Sequence, residues 1–177
     1  MARGQQDDFS SAEGISQISA DLFAFATDRE DVKWSLARLT AVSLGERTAV
    51  EYELGALKII AVGWSITYLM GESPLKEQLQ TDYWQSVHSL AGDLSRSAGM
   101  LIGRPIDYFE VLKQRFERYL EAMRECPCQT EPSQVVGPAF ANNCGLPEDL
   151  HVAMAGSRLF KNSLLRVHEY LKVIGLC

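Results

Sequence analysis

The sequence predicts an all-α protein, an antiparallel four-helix bundle-like domain with additional short N-terminal helices. Three observations predict it. Apolar residues recur at three- and four-residue steps along most of the 177 residues, the spacing that gathers them on one face of a helix. Glycine, proline and serine punctuate the points where those series stop, as helix ends require. The stretch Leu54–Met70 carries a single ionisable residue, Lys58, and a helix apolar around most of its girth belongs at the centre of a bundle.

That stretch also poses the question of a membrane. Its 17 residues reach about 25 Å as a helix, short of the roughly 30 Å hydrocarbon slab. Its flanks carry Glu51, Glu53 and Glu72 rather than a basic cluster, so the expectation is a buried core helix and no membrane partner.

Residues 1–10, MARGQQDDFS, lack the apolar core of a signal peptide and read as a disordered or weakly ordered tail. The expected location is cytoplasmic. Residues 11–177 are expected to form a single helical domain. Ile15, Ile18, Leu22 and Phe25 step 3–4–3 and predict a small helix near 11–26. Thr27 followed by Glu30 is a capping box, opening a helix with Val32, Leu36 and Leu39 inward and Gly45 at its end. Val32, Trp34, Leu36, Thr40, Val42 and Leu44 also alternate, so a strand competes over 28–44.

The central helix is expected from Glu46 to Met70. Ala49, Ala56 and Gly63 form a line of small residues along it. Arg47, Glu51, Gly55, Lys58, Val62, Ser65 and Glu72 fall near a second line, read as a polar stripe meeting water. Ser73 caps the next helix, with Pro74 at its first position. Leu79, Tyr83, Val87, Leu90, Leu94, Ala98 and Leu101 are its expected apolar positions, and Gly103 closes it. Its small residues, Ala91, Gly92, Ser95, Ala98 and Gly99, predict close approach to the small-residue line of the central helix.

Pro105 is expected to start the following helix, whose seam is Phe109, Leu112, Phe116, Tyr119 and Met123. Residues 126–146 hold three prolines, two glycines and an Asn-Asn pair, and are expected to be a long loop. Pro147, Glu148 and Asp149 begin the last helix. Leu150, Ala153, Ser157, Phe160, Leu164, Val167, Leu171 and Ile174 line it as far as Gly175.

The formal net charge is −6 with no Lys/Arg stripe, so the electrostatic footprint for nucleic acid is missing. The 4 cysteines read as thiols in a reducing compartment rather than as a disulfide framework.

Four constellations carry candidate chemistry. Glu148 and His151 have the ExxH spacing of di-iron bundles, but the second pair such a site needs is absent. First-turn acids serve the helix dipole regardless. Cys126, Cys128 and Cys144, with His151 as a fourth ligand, would suit zinc or an iron–sulfur cluster, or a redox disulfide. Ordinary loop thiols are the plainer reading, and no metal or cofactor is favoured. Lys58, if buried, would be a base or Schiff-base amine; the polar stripe favours an exposed ammonium whose stem covers apolar neighbours. Trp64 and Tyr68, with Tyr83 and Trp84 on the next helix, would wall a pocket for a small apolar or planar ligand, though aromatics at helical spacing usually serve a core.

No phosphate loop, nucleophile elbow, zincin motif or catalytic Cys–His signature occurs in the sequence. Catalysis therefore has no motif behind it. The expected function is non-enzymatic, association with a protein partner or with a second copy as a homodimer, in a regulatory or adaptor role. Binding of an apolar ligand at the tryptophans and thiolate metal or redox chemistry are the alternatives.

Overall fold

The computed structural model describes residues 12–39, 43–103, 106–127 and 131–177. Among them are seven helices and no strand, so the chain is all-α: α1 Ala12–Thr27, α2 Glu30–Ala37, α3 Leu44–Leu69, α4 Pro74–Ile102, α5 Tyr108–Glu125, α6 Pro132–Asn143 and α7 Leu150–Val173. No described helix is long and apolar enough to cross a membrane. The expected tail at 1–10, Pro105 and Cys128 lie outside the described residues.

The described residues gather into two compact units, each assembled from separate stretches of chain. The first takes its residues from Met1–Ala26, Ala61–Glu110 and Leu164–Cys177, the second from Thr27–Ile60 and Val111–Ser163.

In the first unit α1 buries Ile15, Ile18 and Leu22 as the 3–4 spacing predicts, but its fourth buried position is Ala26, while Phe25, expected inside, is only half-buried. The α3 segment contributes Ala61, Val62 and Ile66, and Met70, just past its end, is buried as well. Ser73 caps α4 as predicted, its hydroxyl accepting from the Lys76 amide at 3.2 Å. Gly103 ends α4 in the left-handed region at φ 70°, where a side chain would be strained. The inner line of α4 is Leu79, Tyr83, Val87, Ala91 and Ala98, whereas Leu94, expected inside, is exposed. A 3.6-residue period drifts away from a strict four-residue ladder and brings the small residues inward instead.

At Gly63 a close approach does occur, but of a different kind from the expected meeting of two small-residue lines. The Trp84 ring occupies the space beside it: a Cβ built on Gly63 would lie 2.5 Å from Trp84 Cζ2 and 3.0 Å from Tyr83 Cε1. Glycine here is a seat for an aromatic ring.

In the second unit α2 buries Val32, Ser35 and Leu36, so residues 30–37 are helix and the competing strand is ruled out. Its start differs from the expected capping box: Arg29 is the N-cap without a side-chain bond, and Asp28 Oδ1 lies 3.4 Å from the Glu30 amide. Gly45 does not terminate it but lies in the first turn of α3.

The expected polar stripe of α3 does not reach water along its middle, because Lys58, Val62 and Ser65 are all fully buried. Lys58 was expected to be exposed and is not. Its Nζ donates to the Asp28 carbonyl at 2.8 Å and lies 3.0 Å from Asp31 Oδ2. The stem crosses the core and the head stays buried against Asp28 and Asp31, at the start of α2. One turn earlier on the same helix, Glu53 is buried and receives Arg115 of α5 through a two-pronged contact, with Nε 2.9 Å from Oε2 and Nη2 2.7 Å from Oε1. Such a fork satisfies a carboxylate that burial would otherwise penalise.

The expected long loop is replaced by α6. Its buried residues, Ser133, Val136, Gly137, Phe140 and Ala141, follow the helical pattern, and Pro132 occupies a first-turn position that proline tolerates. Two glycines let α6 and α7 meet closely. A Cβ on Gly137 would lie 2.6 Å from the Ala153 carbonyl oxygen, and one on Gly156 would lie 2.5 Å from the Phe140 ring.

The α7 helix is capped by Asp149, whose Oδ1 accepts from the His151 and Val152 amides at 2.9 and 3.1 Å. Its buried line is Val152, Gly156, Leu159, Phe160 and Ser163 in the second unit, with Val167 and Leu171 in the first. Leu150, expected on that line, is exposed; it is the first residue of the helix, next to the Asp149 cap.

Candidate functional site

The second unit carries a groove between α2 and α7 that the sequence reading missed. Its volume is about 260 Å³, and Trp34, Arg38, His151, Met154 and Arg158 stand around a floor that includes Leu39 and Ala155. On α7 the contributors fall at 151, 154, 155 and 158, one face by helical spacing. The inward line through Val152, Gly156 and Leu159 leaves that neighbouring face at the rim. On α2, burial of Val32, Ser35 and Leu36 turns Trp34 and Arg38 outward.

Two apolar side chains there remain open to solvent, Trp34 at 49% exposure and Met154 at 39%. The Arg38 guanidinium carbon lies 3.4 Å over the Trp34 ring, a cation–π stack that steadies the indole and leaves the in-plane N–H donors of the arginine unspent. Neither Arg38 nor Arg158 has a carboxylate partner among the described residues. Among the described residues no Asp or Glu lines the groove, although the chain as a whole is acidic at −6. Of the acids close by in sequence, Glu148 and Asp149 belong with His151 to the shallow surface over 145–151, Asp149 is engaged in capping α7, and Asp31 is paired with Lys58.

The residues singled out from the sequence fall elsewhere. In the first unit Trp64 and Tyr68 stack with ring centroids 4.5 Å apart, while Tyr83 and Trp84 meet edge to face at 5.5 Å. Tyr83 is fully buried, and Tyr68 is 59% exposed. Trp84 is packed onto Gly63. Tyr83 and Trp84 thus serve the core around Gly63, and the Trp64–Tyr68 stack opens to solvent at Tyr68.

In the second unit Cys126 is exposed just past the end of α5, and Cys144 is half-buried at the C-cap of α6; both are free thiols. Burial pushes the Cys144 thiol up to about 12, and the nearby Glu53 carboxylate adds to the effect. That favours a neutral thiol, the opposite of what a thiolate ligand needs. Beside it, burial raises the Tyr119 hydroxyl well above its usual range. Among the described residues no three His, Cys, Asp or Glu side chains converge as a metal set would.

The ExxH pair does not share a helical face. Glu148 lies in a turn before the cap, and His151 is inside α7. Lys58 is held by Asp28 and Asp31.

No family model, curated protein or solved structure matches the chain. The reading of the site rests on its residues alone.

One signal in the sequence pointed toward the groove. With Val32, Leu36 and Leu39 setting the inner face of a helix, Trp34 falls on the far side, and an outward tryptophan calls for an explanation. The apparent strand alternation at 32–36 was the trace of that tryptophan.

Proposed function

We propose that the protein acts by protein–protein association, as a regulatory or adaptor module, and that the α2/α7 groove is its recognition surface. The observation that supports this reading is the pairing of exposed Trp34 and Met154 with two arginines that have no carboxylate partner among the described residues, in one concave place. Tryptophan, methionine and arginine are enriched at protein interfaces, and tryptophan and arginine dominate their hot spots. A half-open groove of about 260 Å³ is below the size range of enclosed small-molecule sites. It suits a side chain presented by a partner that continues across the surface.

The test compares the intact chain with a Trp34→Ala/Met154→Ala variant. Both positions are open to solvent, so circular dichroism of the variant should match the parent. Partners cross-linked to the intact chain in cells should be lost from the variant. An unchanged set of cross-linked partners overturns the assignment to this groove. Light scattering at high micromolar concentration reads the homodimer form of the proposal, with a dimer mass that the double variant converts to a monomer mass.

A further inference from the structure

We infer that the occupant of the α2/α7 groove is an acidic peptide segment of a protein partner, with one large apolar side chain flanked by carboxylates. The inference rests on the association reading above and names its partner. Three features of the groove point to it.

The first is charge. In a chain of net charge −6, the groove presents Arg38 and Arg158 with no lining carboxylate. Buried arginine demand elsewhere in the unit is met, as Arg115 shows with Glu53. Two arginines with no carboxylate partner among the described residues, set in one groove with apolar side chains, are complementary to an anionic ligand.

The second is geometry. The Arg38 guanidinium is seated over the Trp34 ring, and a planar fork restrained in this way binds a carboxylate with less loss of freedom than a mobile lysine would. Arg158 stands one helical turn beyond Met154 on α7, so each apolar wall carries its own arginine, Arg38 on Trp34 and Arg158 next to Met154 in sequence phase. A ligand whose apolar residue has acids close to it on either side matches that pairing.

The third is size. The groove accommodates about one large side chain, with Trp34 and Met154 as walls and Leu39 and Ala155 in the floor. Methionine adapts to varied apolar shapes, so the anchor is defined by class, Phe, Leu, Met or Trp, rather than by one residue. The carboxylates supply register and charge selection.

The experiment is selection from a random twelve-residue displayed peptide library on the full chain, with counter-selection on Arg158→Glu and, as a milder second variant, Arg158→Gln. Enriched sequences should place Asp or Glu on both sides of a large apolar residue. A synthetic peptide of that consensus, labelled with fluorescein, should bind with anisotropy-measured affinity that drops at least tenfold with Arg38→Glu or Arg158→Glu. The same affinity should weaken several-fold from low to high sodium chloride, and the counterpart with Lys for each acid should not bind.

Groove-dependent peptides that are neutral or basic overturn this partner class and leave the association reading standing. A selection indifferent to both Arg158 variants and to Trp34→Ala/Met154→Ala overturns the association reading at this groove as well. Arg38 and Arg158 are both exposed, so the variants are expected to fold, and circular dichroism checks that they do.

Discussion

Single side chains decide more of this molecule than the regular spacing of its helices suggests. Gly63 is the clearest case, because the Trp84 ring fills the volume its missing Cβ would take. Gly63→Leu should therefore destabilise by overpacking, on the order of 1–3 kcal/mol, read as a lower midpoint in thermal or urea denaturation. An unchanged midpoint would remove the close contact from the account. The sequence marked Gly63 as a small position but not its neighbour, since glycine spacing says that something comes close and is silent on what. Lys58 misled for a related reason. Helical phase placed it with Arg47 and Glu51, but phase fixes only where the stem leaves the backbone. A four-carbon stem can carry its charge through the core to acids on another helix, here Asp28 and Asp31.

Among the elements, those with local signals were legible and those that depend on neighbours were not. Ser73, Pro74 and Gly103 bound α4 through their own backbone and hydroxyl chemistry, and such chemistry is readable in sequence. In α6, Pro132, Gly137 and Pro138 hid a five-residue helical face because their propensities argue for a loop. What overrides them is packing against α7, where glycine is an advantage. The groove was less legible still, since it needs α2 beside α7 and no local pattern reports that.

Because α2 has only 8 residues, it is too short to hold itself together in water. Its stability comes from what it packs on, and Lys58 fastens its opening turn. Lys58→Met keeps the stem and deletes the charge, so the Asp28 carbonyl and the Asp31 carboxylate lose this cation. Amides in Val32–Ala37 should then exchange at least about tenfold faster by hydrogen–deuterium exchange, equivalent to about 1.4 kcal/mol of local opening. Exchange confined to its original rate would show that apolar contacts alone hold α2.

For the molecule as a whole, the buried ionisable groups set how stability varies with pH. The Cys144 thiol is raised from an ordinary 9.0 to about 12, so the unfolded chain releases this proton first. Its contribution is fully present below pH 9 and is lost as pH rises from 9 toward 12. Burial raises Tyr83 and Tyr119 as well, adding the same sign above pH 10. Urea denaturation of Cys144→Ala should show a shallower loss of stability between pH 9 and 10.5 than the parent, with the tyrosine-driven fall retained. Parallel curves would mean that Cys144 reaches solvent freely. The partition into two units has a further consequence, for synthesis. Each unit draws on a different half of α7, and neither has a complete core until that helix has been translated. Segments made earlier must therefore keep the part of their apolar faces that α7 will cover open until that helix emerges from the ribosome.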